Sequence, residues 1–188
     1  CYTAFDYDTV CRDALALVRA GADGVVFGFL NDDGTVDATR CADFLGRVRA
    51  EKPEIETVFH RAIDVVPDVF AALDTLTALG VTRVLTSGQR ASAPQGAETI
   101  RKMLAHAGGR IDILPGGGIN AGNVRGFIAE TGVKSVHASA RSLRRDTSVC
   151  GNPEIFFGGK IDGRGVPEDE YKVTDSALVG AVVRAIEG

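Results

Sequence analysis

Short apolar runs, each ending in glycine or polar residues and each followed by a segment of helical spacing, recur along this chain about every 25–30 residues. The runs are GVVFGFL (Gly24 to Leu30), ETVFHRAID (Glu56 to Asp64), TRVLTSG (Thr82 to Gly88), IDILPGGGI (Ile111 to Ile119) and SVHASAR (Ser135 to Arg141). Around and between them, residues three and four apart predict helices: Val10, Ala14, Leu17 and Val18; then Cys41, Phe44, Leu45 and Val48; then Phe70, Leu73 and Leu76. Ile100, Met103 and Leu104, and Val124, Phe127 and Ile128, continue the series, and Leu178 to Ile186 ends it. Gly21, Gly80, Gly108 and Gly132 stop four of these helices just before the next strand.

Such alternation builds a parallel sheet with helices outside, and the apolar first run predicts a strand buried on both faces. The two architectures available are a (β/α)8 barrel and an open doubly wound sheet. Polar residues gather at the C-terminal ends of successive strands, which favours the barrel. Five strands do not close an eight-stranded barrel of ~250 residues, so about three βα units are expected ahead of Cys1. The chain is read as one α/β TIM-barrel domain over residues 1–188, truncated at its N-terminus, with a long loop or lid at 142–173 before the last helix.

A net charge of −4 with interspersed signs, and no basic stripe with interleaved aromatics, argues against nucleic acid as a partner. No apolar run has bilayer length and no signal-type segment opens the chain, so a cytoplasmic location and no membrane partner are expected. Cys1, Cys11, Cys41 and Cys150 are far apart and form neither a disulfide framework nor a zinc pattern. Packing is the expected role of Cys11 and Cys41.

Chemistry concentrates at the strand ends. Gly116, Gly117 and Gly118, followed by Asn120 as a helix cap, suit a turn where bare N–H groups meet an anion. Ser139 and Arg141 end the next run, and loops after the last two strands of a barrel are a common phosphate site. His137, Ser139 and Arg141 alternate with Val136, Ala138 and Ala140, which puts the polar three on one face. Consecutive strand residues point to opposite faces, so His60 and Arg61 belong at a strand mouth, with Arg61 close to a carboxylate or a bound anion. Asp64 is a candidate partner, and the Arg61–Asp64 pair either serves ligand binding or only shapes the loop. Ser87, before Gly88, offers a hydroxyl. His106 reads as a helix-end residue. No G-x-S-x-G, H-E-x-x-H or P-loop is present, and nothing specifies a reaction.

Taken together, GADGVVFG, VFHRAID, GVTRVLTSGQ, GGRIDILPGGGI and SVHASAR resemble the copper homeostasis protein CutC family, in the family's order from Gly21 to Arg141 and weakly again in EYKVTD at Glu170 to Asp175. The resemblance implies a (β/α)8 barrel, a cytoplasmic location and a copper homeostasis role with binding of Cu(I). It also implies that the family's cysteine ligands lie upstream of this chain. The strand ends visible here supply imidazole, hydroxyl, guanidinium and backbone N–H, whereas Cu(I) prefers sulfur. The residues therefore keep a second reading open, an enzyme or sensor for a phosphorylated or carboxylated small molecule, with His60 or His137 as acid or base. In the long segment, Ile155, Phe156 and Phe157 are expected at a homo-oligomer contact or in a lid.

Overall fold

Thr3 starts the first helix, because its hydroxyl accepts from the Asp6 N–H while the Asp6 carboxylate accepts from the Thr3 N–H, a reciprocal cap. That helix, α1, is Ala4–Arg19 in the computed structural model, which describes residues 1–152 and 169–187. The order continues β1 Gly24–Phe27, α2 Ala38–Glu51, β2 Glu56–Phe59, α3 Val69–Ala78, β3 Arg83–Thr86, α4 Ala97–Ala107, β4 Asp112–Pro115 and α5 Val124–Thr131. Then come β5 Arg141–Arg145, β6 Glu170–Thr174 and α6 Ser176–Glu187, with 3-10 turns at Arg61–Val65 and Thr147–Gly151.

By density of contacts the described residues fall into two compact units. The first holds Cys1–Ile119 and Gly126–His137, and the second holds Asn120–Arg125 and Ala138–Gly188.

In the first unit, β1 to β4 form one parallel sheet in chain order, with Phe27 paired to Phe59, Phe59 to Val84 and Thr86 to Pro115. One face carries Val25, Phe27, Phe59, Val84 and Ile113, all buried. Phe27 stacks on Phe44 of α2 at 4.8 Å, which identifies this as the helix-covered face. Leu73 and Leu76 of α3 and Ile100 and Met103 of α4 complete the core. The expected burial of β1 on both faces is not met: Val26 is 63% exposed. The barrel is not closed among the described residues, so no opposing strand meets that face, and it carries Arg83 between Glu56 and Asp112.

The fifth parallel strand expected over Ser135 to Arg141 is reduced to one isolated bridge, Gly116 to His137. Ala140, at φ +42°, turns the chain, and Arg141–Arg145 pairs antiparallel with β6 in the second unit. The segment 142–173 thus opens and closes as the two strands of a ribbon. Its middle, with Ile155, Phe156 and Phe157, lies outside the described residues. Asn120 caps the turn that leads into α5: its side chain accepts from the Gly122 N–H, its carbonyl accepts from the Val124 N–H at 3.0 Å, and the Asn123 side chain accepts from the Asn120 N–H at 2.9 Å.

Candidate functional site

The four strands run parallel, β3 and β4 ending two residues beyond the level of Phe59, so the residues after Phe59, Thr86 and Pro115 open at one end of the sheet. At β2 the chain leaves through His60, whose N–H still bonds the Phe27 carbonyl at 2.8 Å. The His60 ring turns back over Gly28; a Cβ there would lie 2.4 Å from the ring. His60 Nδ1 accepts from the Ala62 N–H at 3.2 Å, capping the 3-10 turn. Burial holds the imidazole below its ordinary pKa, and with Nδ1 accepting, the neutral ring carries its proton on Nε2.

Arg61 and Asp64 pair within that turn, Nε to Oδ2 at 2.7 Å. Asp64, 8% exposed at its side chain, also accepts from Thr86 Oγ1 at 2.6 Å, Ser87 Oγ at 2.9 Å, the Ser87 N–H at 3.0 Å and the Gln89 N–H at 3.2 Å. Burial alone would raise its pKa, but these donors and the Arg61 guanidinium outweigh it and hold the carboxyl below its ordinary value. One carboxylate therefore ties the exit of β2 to the exit of β3.

Arg61 Nη2 continues the network to Ser87 Oγ at 2.5 Å and to the Arg90 carbonyl at 3.4 Å. The turn that presents these groups depends on glycine. Gly88, at φ +70°, and Gly96 cross so closely that a Cβ on Gly96 would lie 2.0 Å from the Ser87 carbonyl oxygen. Across the mouth, Gly117 is at φ +99°, and its position would place a Cβ 3.3 Å from Arg61 Nη1. The Gly117 carbonyl accepts from the Ala93 N–H at 2.8 Å, which fastens the glycine turn to the β3 exit. Gly118 packs on Ser92, and Gly116 on the ring of His137.

Of the residues expected from sequence, His60, Arg61, Asp64, Ser87, Gly116, Gly117, Gly118 and His137 lie in this unit at the strand ends. Ser139 and Arg141 belong to the second unit, with Ala140, at φ +42°, between them. Sequence reading missed Thr86, Gln89 and the Arg90 carbonyl, which complete the Asp64 network. It also missed Gly28, although a glycine inside an apolar strand does signal close approach of another group. His106 lies away from the mouth, with Nε2 2.9 Å from Asp74.

The donors present suit an anion better than Cu(I). Among the described residues no group of three or more His, Cys, Asp or Glu converges to hold a metal ion. Cys11 of α1 and Cys41 of α2 are buried, and burial pushes the Cys41 thiol up to about 12, away from the thiolate that binds copper. Cys1 is exposed, at the start of α1.

The model of the CutC family matches residues 1–142. A CutC family protein of Treponema denticola is 44% identical over 98% of this chain and 72% of its own length. A human protein named copper homeostasis protein cutC homolog is 39% identical over 85% of this chain, which spans 56% of that relative. The solved CutC structure from Streptococcus agalactiae superimposes with a TM-score of 0.68 at 31% identity, over 72% of this chain and 65% of that one. Inosine 5′-monophosphate dehydrogenase from Legionella pneumophila, at 14% identity and a TM-score of 0.53, shares the fold alone. With three quarters of its residues matched by one family's model and relatives this similar along nearly its whole length, the chain belongs to the CutC family.

Proposed function

We propose that this chain serves copper homeostasis, the role that its human relative's name records, and that its ligand mouth is the C-terminal end of β2, β3 and β4. The observation that carries the placement is the convergence of His60, Arg61, Asp64, Ser87, the Gly116–Gly118 turn and His137 at that one end. A cytoplasmic setting belongs to the same proposal; among the described residues no helix is long and apolar enough to cross a membrane. Copper itself is the finer part of the reading. Anaerobic titration of the chain with Cu(I) against a competing chelator tests it. Near-stoichiometric retention supports direct binding, and affinity no greater than that of a free thiol removes it.

A second reading is an enzyme or sensor for a phosphorylated or carboxylated small molecule. It is favoured by a fixed guanidinium beside a glycine turn, a donor set that recognises oxygen and repels a cation. Ser139 and Arg141 belong to this reading on sequence grounds alone.

A further inference from the structure

We infer that Arg61 is the anion-recognising group of this mouth, and that it takes a terminal oxygen of a phosphate or carboxylate between its Nη1 and the turn at Gly117. The inference deepens the second reading above and rests on it.

A guanidinium has five N–H donors. Here the one on Nε goes to Asp64, and those on Nη2 face Ser87 Oγ and the Arg90 carbonyl. The two on Nη1 meet no acceptor among the described residues, although the side chain is only 44% exposed and held on its other edge. A structural clasp between Arg61 and Asp64 needs Nε and Nη2; it gives Nη1 no task. That edge lies against bare backbone, since any Cβ on Gly117 would stand 3.3 Å from Nη1 and 3.7 Å from Cζ. The Gly117 N–H likewise donates to nothing among the described residues.

Charge agrees with geometry. Arg61 and Asp64 compensate each other, while Arg90, exposed on the same turn, makes no ion pair among the described residues. The turn is therefore left positive. Because the Asp64 network holds the fork before any ligand arrives, little side-chain freedom remains to be lost on binding. Asp64 is thus a positioning residue that acts through Arg61.

The test is titration of the chain with inorganic phosphate at low ionic strength, followed by 31P line width and calorimetry, with acetate as the carboxylate probe. Saturable binding is expected, weakened about tenfold or more in Arg61→Gln, the loss of charged hydrogen bonds to an anion. Arg101→Gln, an exposed change on α4, should bind as the parent does and so separates the site from general charge. Arg61→Lys gives an independent arm if Arg61→Gln folds poorly: its one ammonium pairs with Asp64, so binding should fall here too. If the parent chain binds neither probe saturably, the anion reading itself is overturned. If folded Arg61→Gln and Arg61→Lys both bind as the parent does, the anion reading stands and the assignment to Arg61 is overturned.

Discussion

At the scale of single residues, the network turns on Asp64. Replacing it by alanine strands the Thr86 hydroxyl and the Ser87 and Gln89 N–H groups without their acceptor and leaves Arg61 unpaired. A loss of about 3–5 kcal/mol is expected, readable by urea unfolding. The pH dependence has a definite sign. A carboxyl whose pKa is lower in the fold than in the unfolded chain contributes stability that is complete above the ordinary value of 3.8 and is lost as pH falls through the folded value. Asp64→Asn should therefore destabilise at neutral pH and flatten the acid limb of the stability curve; an unchanged acid limb would show that Asp64 is not held ionised. Much of this was legible beforehand. Strand pleating forbade His60 and Arg61 a shared face and put them at an exit, with Asp64 one helical turn away as a partner. What was not legible was the reach from Asp64 to Ser87, because sequence spacing says nothing about which loops a parallel sheet brings side by side.

At the scale of elements, helices and strands followed from periodicity and caps, while the last strand did not. Asp37 caps α2, its side chain accepting from the Arg40 N–H, and Gly21, Gly80, Gly108 and Gly132 all take positive φ at helix ends. SVHASAR carries the same alternation of apolar and polar residues as a true strand. Its continuation RSLRR, with one apolar side chain, instead finds a partner in EYKVT, and an antiparallel ribbon so polar needs no helix above it. The turn after β3 is the element on which the mouth depends most. Gly96→Ala would drive a Cβ into the Ser87 carbonyl, where backbone rather than a flexible side chain must yield. The start of α4 should shift and with it Ser87, so both unfolding free energy and phosphate affinity should drop. Loss of stability with full affinity would mean that the mouth does not depend on this crossing.

For the whole molecule, burial is divided very unevenly. Every buried apolar side chain among the described residues lies between Cys11 and Val133, whereas Leu143, Tyr171, Leu178, Val179, Val183 and Ile186 are each more than two-fifths exposed. Helix α6 has the apolar stripe that its sequence promised but no buried residue. A helix of its length is marginal in water without a packed face, since nucleation costs more than a few turns return. Stability should therefore be graded along the chain, near the global value in the sheet and low in β5, β6 and α6. Hydrogen exchange followed by mass spectrometry should show slow, cooperative exchange in peptides from β2, β3 and β4, and exchange orders of magnitude faster in peptides covering residues 176–187. Equal protection in the two regions would mean that the apolar face of α6 is covered in solution, and that the gradient drawn from burial is wrong.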